Sequence, residues 1–248
     1  MPPALRLIYT ADLHDRLTPA AAERLRQAKL EHEALLVDGG DAVAAPNVLV
    51  YPWPERAVRR LNAAGCDVMG LGNREYFFRR SGLVRKTGEG RFPVLCTNLV
   101  AKAADGAGDG ALGHVRRWAV LNAGGLRVGF FALCPTMIIP GTFAERLSDM
   151  RFVPWPEAAA TAMATLRPEC DLIVALAHVG AEAQGALATA HPALALVLGA
   201  HIHGPAVETL AAAGVPLVRV PPRARAAALI ELAPHASTPP RVTEVPLP

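Results

Sequence analysis

Five stretches of the chain share one pattern: a short, nearly unbroken apolar run that stops at Asp, Asn or His. LRLIYTA (5–11) runs into Asp12-Leu13-His14, and ALLVDGG (34–40) into Asp41. CDVMGLG (66–72) runs into Asn73, DLIVALA (171–177) into His178, and LALVLGA (194–200) into His201-Ile202-His203. Apolar runs of this length bounded by turn residues read as strands buried on both faces. The pattern predicts strands over 4–10, 34–38, 67–71, 92–98, 171–177, 194–198, 215–220 and 226–233. Thr18-Pro19 is a cap followed by a first-turn proline, predicting a helix to about 32. A second helix starts at Pro54 and ends at Gly65, a C′ glycine. Further helices are predicted over 157–167 and 181–190. VRRWAVLN and LRVGFFAL flank Ala123-Gly124-Gly125 as a hairpin. Residues 102–113 read as a Gly- and Asp-rich loop, and 134–156, with four prolines, as a long loop holding at most one helical turn. Alternating strands and helices around a hairpin predict an α/β layered architecture. Without a repeat or a linker, 1–248 is expected to be a single domain, with a Pro-rich tail from about 234.

Composition narrows the function. Apolar residues are 52% and charged residues 19% of 248, enough for a large core and unlike a disordered chain. Mean hydropathy is +0.25, yet every apolar run ends within about ten residues, well short of a membrane span. The opening MPPALRLIYTADLHD lacks a basic leader region, so a cytoplasmic protein is expected. Net charge is only +3, which does not favour nucleic acid as a partner. Of the 25 basic residues, 22 are arginine, and the Arg79, Arg80, Arg85, Lys86 cluster reads as a solvated face. Cys66, Cys96, Cys134 and Cys170 have no C-x-x-C spacing and are expected to be free thiols.

The candidate chemistry lies at the strand ends. In open α/β sheets ligands bind outside the carboxyl ends of the strands. Four of the eight histidines stand at these ends, while His32, His114, His191 and His235 carry no such signal. A lone Asp or His after a strand is ordinarily a cap or loop residue, but five such endings converge on one edge. Asp, His and Asn together suit divalent Mn, Fe, Zn or Mg. Seven candidates exceed what one tetrahedral ion needs and suit two ions sharing a carboxylate, an arrangement that clamps in-line displacement at phosphorus.

D-x-H, G-G-D, G-N-x-E, H-x-G and G-x-H-x-H, in this order, resemble the calcineurin-like metallophosphoesterase family. TADLHDRL, VDGGD, FPVLCTNLV, LAHVG and LGAHIHG look most like the catalytic domain of its 5′-nucleotidase branch. The resemblance covers about residues 5–233 and implies a four-layer fold, two packed β-sheets flanked by helices. It implies one metal held by Asp12, His14, Asp41 and His203, and another held by Asp41, Asn73, His178 and His201, with Asp41 bridging. It further implies hydrolysis of a small phosphomonoester or phosphodiester by a hydroxide between the two ions, with Asn73 contacting the phosphate.

Several positions depart from the family. Arg74 stands where the family has the His that protonates the leaving oxygen, and Phe77 where the 5′-nucleotidase branch has a supporting Asp. Arginine cannot cycle a proton near neutrality, but its fork can bind phosphate oxygens and stabilise transition-state charge. Loss of a general acid costs about 10²–10⁴-fold, most for poor leaving groups. Arg74 is therefore expected at the substrate phosphate, beside Asp41 and Asn73. The alternative is a loop residue paired with Glu75. Asp15 replaces a Gly and reads as a turn cap. The second domain that binds the base in 5′-nucleotidases is expected to be absent, and nucleotide specificity is then not expected to carry over. Some members that lack the His act on diesters, and by that analogy diesters are favoured here. The competing expectation is a metal-containing binding or scaffold protein, since the family also includes an interaction platform.

Overall fold

The computed structural model describes residues 4–102, 109–110, 112–233 and 239–248. The first sheet contains β1 (Leu5–Thr10), β2 (Leu35–Asp38), β3 (Val68–Gly70), β4 (Val94–Leu95), β7 (Val115–Arg116), β15 (Ala226–Leu232) and β16 (Arg241–Pro246). Their spatial order is β16-β15-β1-β2-β3-β4-β7. The second sheet contains β8 (Trp118–Ala123), β9 (Leu126–Leu133), β11 (Leu172–His178), β12 (Leu196–Ala200), β13 (Glu208–Ala212) and β14 (Val215–Arg219), ordered β13-β14-β12-β11-β9-β8. A small third sheet is formed by β10 (Met150–Phe152), β5 (Leu99–Lys102) and β6 (Asp109–Gly110).

The two large sheets pack face to face. Leu5, Leu7 and Tyr9 of β1 and Val37 of β2 meet Val128 and Phe130 of β9 and Val174 and Leu176 of β11 in one apolar layer. The opposite face of the first sheet, with Ile8 and Leu36, is covered by α1 (Pro19–His32) and α2 (Arg56–Ala64). The opposite face of the second, with Phe131, Ile173 and Ala175, is covered by α5 (Trp155–Leu166) and α6 (Ala181–Ala190). The expected fold of two packed sheets flanked by helices is therefore present, and it explains the unbroken apolar runs. Both faces of each central strand are dry. The central strands β1-β2-β3-β4 and β9-β11-β12-β14 are parallel, so their C-terminal ends share one side in each sheet.

Helix ends follow the chain chemistry. Thr18 caps α1 by accepting from the Ala21 N–H at 3.0 Å, and Gly65 closes α2 at φ 76°. α2 begins at Arg56, two residues after the predicted proline, because Glu55 turns back to cap the preceding loop.

Other elements differ from expectation. α3 (Arg80–Thr87) occupies a stretch with no apolar periodicity, and its buried Leu83, Lys86 and Thr87 face the core. The predicted strand 92–98 is reduced to Val94–Leu95, and the chain then switches sheets into β5. The long loop 134–156 holds the single turn α4 (Phe143–Leu147), and also β10, whose Met150 and Phe152 point inward. β13 is an exposed edge strand closed onto β14 by Ala213-Gly214. Within the Pro-rich tail, 241–246 forms the edge strand β16 with Val245 buried, and its closing Pro246 is tolerated at an edge. Residues 103–108 and 111 of the predicted loop, and 234–238 with His235, lie outside the described residues. No helix among the described residues is long and apolar enough to cross a membrane.

Candidate metal centre

The strand ends bring five predicted side chains into one cluster. Asp12 and His14 follow β1, Asp41 follows β2, His178 closes β11, and His203 follows β12. Asp12 Oδ1 lies 3.1 Å from His203 Nε2 and 3.9 Å from both His14 Nε2 and His178 Nε2. Asp41 reaches both sides: Oδ2 is 3.6 Å from His14 Nε2, and Oδ1 is 3.5 Å from His178 Nε2. The ligand atoms of Asp12, His14 and His203 lie within 4.8 Å of one another, as do those of Asp12, Asp41 and His178. Asp12 thus belongs to both groups, and Asp41 touches a histidine of each.

Backbone conformation marks the same place. Asp12, His14, Asp15, Asp41 and His201 all have φ between 47° and 72°, a region non-glycine residues avoid. Two of these loops are knitted together by Asp12 N–H to Gly40 O, His14 N–H to Asp41 O and Asp15 N–H to Ala42 O, all 2.8–2.9 Å. Gly72 fits only because it has no side chain, since a Cβ there would lie 2.3 Å from Asp41 Oδ1.

The remaining predicted residues sit at the margin. The His201 ring is 5.2 Å from that of His178, and the His201 backbone N–H donates to Asp12 Oδ2 at 3.0 Å. Asn73 donates through Nδ2 to Asn47 Oδ1 at 2.8 Å, leaving its own Oδ1 buried without a partner. His32, His114 and His191 lie outside the cluster, and His114 meets Thr87 Oγ1 at 2.6 Å.

Arg74 borders Asp41. Its backbone N–H donates to Asp41 Oδ1 at 2.7 Å, its Nε is 4.0 Å from Asp41 Oδ2, and its Nη1 donates to Ala44 O at 3.3 Å. It does not pair with Glu75. That carboxylate is fully buried and accepts backbone N–H groups from Asp41, Ala42, Val43 and Gly72. Phe77 packs on Gly82 of α3. Asp15 pairs with Arg56, Oδ2 to Nε at 3.1 Å, as α2 begins.

Protonation follows the charges. Burial raises the Asp41 carboxyl, but the His14 and His178 imidazoles beside it, 3.6 and 3.5 Å away, outweigh burial and hold it far below the usual carboxylate range. Burial lowers the His178 imidazole, yet Asp41 and Asp12 together push it up to about 9. Its Nδ1 lies 2.9 Å from Gly39 O, so the carbonyl fixes the ring and leaves Nε2 facing the carboxylates. Asp38, one turn back from the site, is raised to about 8 by burial, against bonds from Thr10 and Gly40.

The donor set fits a divalent cation. Seven buried side-chain polar atoms lack a hydrogen-bond partner among the described residues. Four of them, Asp12 Oδ1, His14 Nε2, Asn73 Oδ1 and His178 Nε2, are candidate ligand atoms, so the deficit gathers where a cation would satisfy it.

Two positioning residues were given no role by the sequence. Glu75 gathers four N–H groups from two loops, those that follow β2 and β3. Gln184 of α6 donates to the carbonyls of Ala177, Val179 and Ala200 and accepts from Arg219 Nε at 2.9 Å, tying the ends of β11 and β12 together. A lone Gln in the apolar helix AEAQGALATA and the acid of G-N-x-E were the available hints.

Comparison with known proteins agrees with the geometry. No family model matches the chain. A snake venom 5′-nucleotidase of Gloydius brevicauda is 23% identical over 221 residues, 79% of this chain and 36% of that protein. The 2′,3′-cyclic-nucleotide 2′-phosphodiesterase/3′-nucleotidase of Haemophilus influenzae is 24% identical over 204 residues, 71% of this chain and 31% of that protein. The chain thus spans about a third of the length of these curated relatives. A calcineurin-like phosphoesterase of Bacillus subtilis superposes with a TM-score of 0.74 at 18% identity, covering 99% of this chain and 90% of that one. The fold is that of the calcineurin-like phosphoesterases, as the motifs implied, and the similar proteins are named as hydrolases of phosphate esters.

Proposed function

We propose that the chain is a divalent-metal-dependent phosphoesterase that hydrolyses a small, nucleotide-like phosphodiester or phosphomonoester. The observation that carries this reading is the convergence of Asp12, His14, Asp41, His178 and His203 with partnerless, buried ligand atoms. Two overlapping donor groups suit two ions of the Mn, Fe, Zn or Mg type, with Asn73 and His201 completing the set. Bound there, such ions would supply Lewis acidity for phosphoryl oxygens and lower the pKa of a coordinated water.

The protein's own residues set the rest of the chemistry. Asp41, kept ionised by its histidines, holds negative charge between the two donor groups across the neutral pH range. Arg74 and Asn73 flank Asp41 and orient the phosphate, the guanidinium binding oxygens that gain charge in the transition state. Arg74 cannot give a proton to the leaving oxygen. Esters with good leaving groups are therefore the better substrates, and the reading favours diesters. The four unpaired cysteines suit a reducing compartment such as the cytoplasm.

The test is turnover of bis-p-nitrophenyl phosphate and p-nitrophenyl phosphate by chelator-stripped protein, with and without added Mn. Metal-restored turnover, faster on the diester, is expected. Protein that binds the ion yet cleaves neither ester would instead be a metal-containing binding protein.

A further inference from the structure

From Ala42 to Pro54 the chain carries no charged side chain. This loop is closed on itself by buried Glu55, which accepts from the N–H groups of Ala44 at 2.8 Å and Ala45 at 3.2 Å. It is also fastened to the segment that bears Asn73 and Arg74. Asn73 Nδ2 donates to Asn47 Oδ1 at 2.8 Å, and Arg74 Nη1 to Ala44 O at 3.3 Å. Buried Lys86 donates to Pro46 O at 3.2 Å, to Tyr76 O at 3.2 Å and to Arg74 O. Val48, β-branched, is held at φ 57° within it.

On this anchored loop stands an exposed aromatic pair. Trp53 is 60% exposed, and its ring stacks on Tyr51 at 5.2 Å between centroids and 21° between planes. A Trp stacked on one face and open on the other offers a π-surface to a further flat ring. Only Pro54 separates Trp53 from Glu55, a reach of at most ~7 Å between their Cα atoms. Glu55 holds Ala44, and Ala44 holds Arg74. One fastened unit therefore carries both a guanidinium and an uncharged aromatic face. Its matching ligand is anionic at one end and flat and aromatic at the other.

We propose that Tyr51 and Trp53 form a stacking platform for the nucleobase of a nucleoside phosphate ester whose phosphate lies at Arg74 and Asn73. The proposal rests on the phosphoesterase reading and adds to it the site that selects a ring-bearing ester. The test is calorimetric binding of adenosine monophosphate and of β-glycerophosphate to Mn-loaded protein. Trp53→Ala and Tyr51→Ala are each expected to lower the ratio of the two affinities by about 5- to 150-fold, the range for loss of one stacked base. Trp53→Phe, which keeps a flat ring, restores most of the ratio. A ratio unchanged in Trp53→Ala, or equal affinity for the two esters in the wild type, overturns the platform. Turnover separates the two readings. Wild-type protein that cleaves neither ester refutes the phosphoesterase, while the affinity ratio still decides the platform.

Discussion

Glu75→Gln is the sharpest perturbation of the loops that shape the centre. Oε2 of Glu75 accepts from Gly72 and Asp41, both at 2.9 Å, and Oε1 from Ala42 at 2.9 Å and Val43 at 3.3 Å. Glutamine keeps the shape and one carbonyl oxygen, but its NH₂ turns a donor toward two donors. Two buried N–H groups then lack acceptors, at about 1–3 kcal/mol each, or about 2–6 kcal/mol for the pair. A chain of this length moves about 2–4 °C per kcal/mol, so Tm should fall by roughly 4–24 °C. The assay is thermal unfolding of the chelator-stripped proteins, which isolates the loop from any bound ion, followed by Mn titration. Mn affinity should fall as well, because the backbone that aims Asp41 is released. A stripped Glu75→Gln protein melting within about 2 °C of the wild type would refute the reasoning.

Further outcomes follow from the same contacts. Asp41→Asn removes the carboxylate that touches both His14 and His178; metal-dependent turnover should drop by at least about 10²-fold, measured at saturating Mn. Arg74→Ala should raise KM or lower kcat by about 10-fold or more without changing Mn stoichiometry; unchanged kinetics would remove its phosphate role. Gln184→Leu strands three buried carbonyls and should lower stability by roughly 2–4 kcal/mol in denaturant titration, with a parallel loss of Mn affinity. Asp38 has a folded-state pKa raised to about 8 from 3.8, so its contribution is full below about pH 4 and is lost as pH rises through about 8. Asp38→Asn, neutral throughout, should flatten the decline in denaturant midpoint between pH 5 and pH 8.

The sequence exposed the centre for a physical reason. β1, β2, β11 and β12 are buried on both faces, so each reads as an apolar run and its end is marked by the first polar residue. In all four, that residue or its near neighbour is a side chain of the cluster. α3 was hidden because RSGLVRKT has neither a side-chain cap nor apolar spacing, and tertiary contacts of Leu83 and Lys86 hold it instead. β10 and β13 were hidden because three residues, buried, half-buried and buried, or an exposed edge, are too little to set a periodic signal. Glu75 and Gln184 were legible as residues but not as roles. Their partners are backbone groups, some on other strands and loops, that sequence cannot place beside them. Arg74 shows the converse: its departure from the motif was plain, and its geometry sets it beside Asp41 and not in the alternative pairing with Glu75.

The central claim is that this cluster holds divalent metal and that phosphate-ester cleavage depends on it. Mn titration of chelator-stripped protein, with bound ion and bis-p-nitrophenyl phosphate turnover read in the same samples, tests it most directly. The account predicts that turnover rises with occupancy, saturates at two ions per chain and is lost in Asp41→Asn. Turnover that is independent of occupancy, or no specific Mn binding by the folded protein, would contradict it.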